Sequence, residues 1–215
     1  MNTNQKYRPK SLDEFIYPTK ALKSAVEMYA DGATMRPLIL HGPHGTGKSL
    51  LAELIPKAID GPNVSVQRTT IDDLKTRADI QKNLTRTTIF DSLFEPEDQS
   101  RYYMVFDEFV SDTKVLKDAM RMALDSMEGR GMYIFTTNEL NRVDTGIVSR
   151  SECVHVPPLS PEDFLPRAMF ILNSEGIDAP PGVVLDALAA TQRVSADNRR
   201  YYEVLDRLIY RANRQ

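Results

Sequence analysis

The sequence predicts an α/β fold, one parallel sheet of five strands flanked by helices, with a small C-terminal helical lid. Three observations carry that expectation. A glycine-rich loop, GPHGTGKS from Gly42 to Ser49, lies between an apolar run and the helix-forming segment LLAELIPKAI. Two further apolar runs, Tyr102–Phe106 and Met132–Thr137, end abruptly in polar residues and are separated by a helical pattern, the alternation that builds a parallel sheet. After Pro157-Pro158 no strand pattern recurs, and three helical segments follow.

Residues 1–18 show little periodicity and read as an extended arm, whose most distinctive cluster is Lys6-Tyr7-Arg8-Pro9. From Thr19 to Ala30, Leu22, Ala25, Val26 and Tyr29 fall on one helical face, and Asp31-Gly32 closes the helix. The run Pro37–Leu40 is the strand before the loop. Gly61-Pro62-Asn63 turns the chain into a short alternating strand, Val64–Gln67. Residues 71–90 read as a surface helix with Ile71, Leu74, Ile80 and Leu84 as its apolar stripe. A helix over 113–128 leads through Gly129 and Gly131 into the strand that ends at Asn138. Residues 143–148 form a short helix or turn, and Cys153–Val156 is the last strand. Ser160-Pro161-Glu162-Asp163 opens a helix that runs to about Ser174; a second follows Pro180-Pro181, and a third opens at Ser195. The expected domains are an α/β core over 1–156 and a helical lid over 157–215.

Composition narrows the class of function. The 215 residues are 41% hydrophobic and 27% charged with a net charge of −3, which suits a soluble protein and argues against one that coats nucleic acid by bulk charge. No apolar run is long enough to span a bilayer, and the first residues are too polar for a signal peptide. The single Cys153 rules out an internal disulfide, suggests a reducing, cytoplasmic setting, and reads as a small apolar residue in a strand. His41, His44 and His155 read as structural.

The loop matches GxxxxGK(S/T) at every fixed position. Glycines at 42, 45 and 47 leave backbone N–H groups free to close round a polyphosphate, and the helix that follows adds its positive end. The candidate phosphate-binding segment is Gly42, Pro43, His44, Gly45, Thr46, Gly47, Lys48, Ser49 and Leu50, with Lys48 reaching the β- and γ-phosphates and Ser49 a ligand of Mg²⁺. The second motif is YYMVFDEF, Tyr102–Phe109. A buried strand ending in two carboxylates is costly unless a cation or a reaction needs them there. Asp107 is the expected metal ligand and Glu108 the general base that takes a proton from attacking water, so ATP and Mg²⁺ are the expected cofactors. Lys114, Lys117 and Arg121 share one face of the next helix and could meet DNA backbone phosphates; Arg68, Lys75, Arg77, Lys82 and Arg86 form a second basic region.

Together these motifs resemble one family, the AAA+ ATPases, and within it the sliding-clamp-loader subunits of replication factor C and phage type. Lys6-Tyr7-Arg8-Pro9, followed by Ser11-Leu12-Asp13-Glu14-Phe15, looks like the family's N-terminal box, which implies that the backbone at Tyr7, Arg8 and Pro9 lines an adenine pocket. Gly42–Ser49 corresponds to Walker A, and Tyr103–Glu108 to Walker B. Asn138 falls where the family has sensor 1, which would hold the attacking water and γ-phosphate. Ser149-Arg150 resembles the serine-arginine-cysteine motif, with Ser151 in place of the cysteine, and implies that Arg150 reaches a neighbouring subunit's ATP. Ala196-Asp197-Asn198-Arg199 resembles the opening of the sensor 2 helix, so that Arg199, or Arg200 as the alternate, would touch the γ-phosphate. The chain stops where such a lid ends, so the collar of full clamp-loader subunits is expected to be missing. The implied function is ATP hydrolysis in a ring or spiral of AAA+ subunits on DNA, with a sliding clamp as a further partner. The alternatives on the same module are a helicase loader, a transposition or defence ATPase, or a protein remodeller.

Overall fold

The computed structural model describes residues 2–74, 78–80, 101–126 and 131–214. Much of the helix expected over 71–90, including Leu84, and four of the five residues of the second basic region (Lys75, Arg77, Lys82 and Arg86) lie outside them. The chain divides into two compact units.

The first unit, Lys23–Gly42 with Lys48–His155, holds a five-stranded, wholly parallel sheet. Its strands are β1 (Leu38–His41), β2 (Val66–Thr70), β3 (Tyr102–Asp107), β4 (Gly131–Thr137) and β5 (Glu152–His155), in the order β2-β3-β4-β1-β5. The inner strands are buried almost throughout, which is why they read as apolar runs. Stacked Phe106 and Phe135, with Phe109 4.8 Å from Phe135, centre a core that also takes Ile39, Met104, Tyr133 and Ile147.

Numbering helices in chain order, α1 is Thr3–Lys6, α2 Lys20–Ala30 and α3 Lys48–Asp60, which follows the loop at once and packs on β1, β3 and β4. Helix α4 (Lys114–Ser126) buries Leu116, Met120 and Leu124 at four-residue spacing, and the one-turn α5 (Thr145–Val148) packs against it. On α2, Leu22, Val26 and Tyr29 are buried as expected, but the Tyr29 hydroxyl meets no hydrogen-bond partner among the described residues. An orphaned buried hydroxyl costs about 1–3 kcal/mol. Tyr29→Phe is therefore expected to raise the unfolding free energy by about 1 kcal/mol, read from urea denaturation midpoints; a drop in stability would reveal a partner for the hydroxyl.

Three differences from the sequence expectation have local causes. The arm over 1–18 opens with α1, because the Asn2 side chain accepts from Asn4 N–H and Thr3 is tied at both its N–H and its hydroxyl to Asp206 and Tyr202. Strand β2 starts and ends later than Val64–Gln67, since it is an edge strand whose pairing with β3, not an apolar alternation, fixes its span. Cys153 does lie in a strand, β5, but that strand is the opposite edge of the sheet and the side chain is exposed.

The second unit gathers Met1–Leu22, Pro43–Gly47 and Val156–Gln215. Three helices form its body: α6 (Pro161–Ser174), α7 (Pro181–Gln192) and α8 (Arg199–Ala212). Ser160 caps α6 by accepting from Asp163 N–H, with Pro161 in the first turn. Phe164, Ile171, Leu172, Val184, Leu188, Tyr201 and Leu205 form a common apolar core. Among the described residues of both units, no helix is long and apolar enough to cross a membrane.

Candidate active site

Because every strand is parallel, the carboxyl ends of all five lie on one edge of the sheet. Strand β1 sits between β4 and β5 and runs into the glycine loop. Gly42, Gly45 and Gly47 take φ of +144°, +71° and +98°, values that side chains with a Cβ rarely adopt, so the loop's path depends on glycine. Within the second unit a Cβ at Gly45 would collide with the Asp197 carboxylate, and one at Gly47 would come within 2.9 Å of the Phe15 ring. Thr46 is buried and donates its hydroxyl to Pro43 C=O.

Lys48 opens α3, is 7% exposed, and donates from Nζ to Gly42 C=O at 2.9 Å, so its cation turns back toward the end of β1. Ser49, in the first turn, is exposed. His41, at the end of β1, has its imidazole held below the usual histidine range, first by burial and then by His155 and Lys48. It is neutral at pH 7 and adds no charge beside the loop.

On β3, Asp107 is half-buried and both of its oxygens are engaged. Oδ1 accepts from the Thr136 hydroxyl at 3.1 Å, and Oδ2 from Arg68 NH1 at 3.1 Å. The Arg68 guanidinium also reaches Ser49 C=O and Glu53, so it ties β2 to the start of α3 and to the end of β3. Glu108 is exposed and takes φ +53°, which no other non-glycine residue does among those described. Asn138 follows β4 directly and is half-buried at the same sheet edge. Lys48, Ser49, Asp107, Glu108 and Asn138 thus belong to one unit and one edge. The donor set suits a polyphosphate with a hard divalent cation: a glycine loop at a helix start, an ammonium, a hydroxyl and a carboxylate.

The remaining candidates have partners of their own. Arg150 is exposed and grips Asp125 of α4 with two nitrogens, at 2.6 and 3.2 Å, while a third donates to Gly146 C=O at 2.9 Å. The hydrogen bonding from Arg150 holds the Asp125 carboxyl below its usual range. Arg121 forms a bidentate pair with Asp144, the N-cap of α5, at 2.8 Å for each bond. Burial alone would raise the Asp144 carboxyl, but Arg121 and the Gly146 N–H outweigh it and hold it low. Arg121 therefore braces α4 against α5, whereas Lys114 is exposed and Lys117 lines an open polar cleft of about 370 Å³ with Ser111, Asp112, Arg142 and Thr145.

In the second unit, Arg199 is 59% exposed and donates from Nε to Asp197 at 3.1 Å. Tyr7 donates to Glu175 at 2.7 Å and packs edge-on against Phe170, which fixes the chain segment leading to Arg8 and Pro9. Two residues bonded to Asp107 carry no sequence signal that assigns them to it: Thr136 lies inside a buried apolar run, and Arg68 belongs to the second basic region.

A family model described as "AAA domain (dynein-related subfamily)" matches residues 37–150. The replication factor C small subunit of Aeropyrum pernix is 25% identical over 209 residues, which are 96% of this chain and 62% of that protein. Replication factor C subunit 4 of Arabidopsis thaliana is 26% identical over 80% of this chain and 53% of its own length. The chain thus spans about half to three-fifths of these curated relatives. Among solved structures, the Thermotoga maritima RuvB Holliday junction branch migration motor superposes with a TM-score of 0.71 at 18% identity, covering 96% of this chain and 65% of that one. With more than half its length matched by the family model and the fold shared, the chain belongs to the AAA family and is related to replication factor C subunits.

Proposed function

We propose that this protein binds and hydrolyses ATP as an AAA+ ATPase of clamp-loader type, working in a ring or spiral assembly on DNA. The observation that carries the reading is the meeting, at one sheet edge, of Lys48 and Ser49 after β1 with Asp107 and Glu108 at the end of β3. In this reading Gly42–Leu50 cradles the polyphosphate and Lys48 turns from Gly42 C=O to the β- and γ-phosphates. Ser49 and Asp107 would hold Mg²⁺, which when bound neutralises phosphate charge. Glu108 takes a proton from the attacking water. Asn138 orients that water, Arg150 acts on a neighbouring subunit's ATP, Arg199 serves as sensor 2, and the backbone at Tyr7, Arg8 and Pro9 receives the base. Residues 1–156 are then the ATPase core and 157–215 its lid.

DNA as the substrate is favoured by similarity to replication factor C subunits along nearly the whole chain and by the start of α4. That helix opens on Lys114 with no acid in its first turn, which sets a cation against the positive end of the dipole, an arrangement that disfavours the lone helix and suits an incoming phosphate. The test is ATP turnover with primed-template DNA, single strands and candidate clamps. Primed template with a clamp is expected to stimulate most, and Lys114→Glu with Lys117→Glu to abolish that stimulation while basal turnover persists. Unchanged stimulation in the double variant would dispose of this face. Stimulation by single strands or a protein alone would instead place the protein with helicase loaders or remodelling ATPases.

A further inference from the structure

The regular pairing of β3 with β4 stops at Phe106 and Phe135. The next residue on β4, Thr136, is 1% exposed and replaces the ladder with three bonds to three successive residues. Its hydroxyl donates to Asp107 Oδ1 at 3.1 Å, the same oxygen accepts Glu108 N–H at 3.1 Å, and its carbonyl accepts Phe109 N–H at 2.8 Å. Phe109, itself 1% exposed and packed on Phe135, pins the far side of the turn. Between these fixed points Glu108 is held at φ +53°, a left-handed conformation that residues with a Cβ disfavour. Such strain persists where the surroundings over-determine it.

A hydroxyl suits this place because it donates and accepts through one atom. Valine would fill the same volume and do neither. The donated bond orients the carboxylate of Asp107, and the accepted bond fixes the peptide that aims the Glu108 side chain out of the sheet edge. A threonine needed only to fill β4 would require no contact with either acid.

We propose that Thr136 is a positioning residue for both acids at the end of β3, its single hydroxyl setting the carboxylate of Asp107 for Mg²⁺ and the backbone turn of Glu108 for the reacting water. The proposal rests on the ATPase reading above. Partners one shell behind a metal ligand typically change metal affinity or activity about 10- to 100-fold when removed.

The test measures the Mg²⁺ concentration that half-saturates the response of a fluorescent ATP analogue, together with kcat and KM for ATP, in wild type, Thr136→Val and Thr136→Ser. Thr136→Val is expected to need about tenfold more Mg²⁺ and to lose at least about tenfold in kcat with KM for ATP little changed, and Thr136→Ser to restore both. A wild-type Mg²⁺ requirement in Thr136→Val overturns the proposal, as does a Thr136→Ser protein as defective as Thr136→Val, which would assign the effect to the methyl group. If Thr136→Val does not fold cooperatively, Thr136→Ala is read in its place. Loss of folding in both would assign the hydroxyl to stability and overturn the proposal too. A wild type with no Mg²⁺-dependent nucleotide response would remove the ATPase reading itself, an outcome distinct from a responsive wild type matched by Thr136→Val.

Discussion

A Glu108→Gln protein is expected to retain ATP while its turnover falls by about 10²- to 10⁴-fold, the range that a positioned general base contributes. The amide keeps the size of the side chain and the +53° backbone held by Thr136 and Phe109, so the loop from Gly42 to Ser49 is undisturbed. What it loses is the ability to accept a proton. Because Glu108 is exposed at the sheet edge, the carboxylate makes little contribution to the core, and its loss should leave the melting temperature almost unchanged. Nucleotide retention on a desalting column, beside single-turnover hydrolysis, checks both halves of the expectation. Turnover close to wild type would move the base to another residue.

The second large effect is expected at Arg150. If this side chain acts on a neighbour's ATP, Arg150→Ala should bind nucleotide normally and hydrolyse about 10³-fold or more slowly, the scale of an arginine supplied in trans. In the free chain its guanidinium is engaged by Asp125 and Gly146 C=O, so reaching a neighbour requires that surface pair to open. Solvent and salt screen such a pair, and the cost is small against the rate effect. Mixing Arg150→Ala with Glu108→Gln distinguishes action in trans from action in cis. An Arg150→Ala subunit still carries Glu108, a Glu108→Gln neighbour still carries Arg150, and their shared interface should recover turnover that neither variant shows alone. A mixture as inactive as its components would restrict Arg150 to its own chain.

Most of the sheet was legible because buried parallel strands advertise themselves: β1, β3 and β4 are apolar runs that stop at Gly42, Glu108 and Asn138. Edge strands carry less signal. In β2, Arg68 and Thr70 face solvent, and only pairing with β3 defines the strand's limits. The third C-terminal helix is expected to open at Ser195, but α8 starts at Arg199, with Asn198 at its N-cap position. The Asn198 side chain instead accepts Leu159 N–H, and Asp197 accepts Arg199 N–H. The phosphate loop and the two acids were readable from local spacing alone. Thr136 and Arg68 were not, since they lie 29 and 39 residues from Asp107 and reveal their role only when parallel pairing brings β4 and β2 alongside β3. The pairing of Arg121 with Asp144 is hidden for a related reason, since the two residues lie on different helices, 23 residues apart.

The pairing of β1 carries a consequence for how the chain is made. Among the described residues, Leu38–His41 pair with β4, which ends at Thr137, and with β5, which ends at His155. Contacts so distant in sequence form late and slowly, after a long loop has been closed. During synthesis the complete GPHGTGKS segment leaves the ribosome early but has no strand to lean on until some hundred further residues have followed. A nascent chain halted at Ser126 would therefore carry every residue of the phosphate loop and none of its shape.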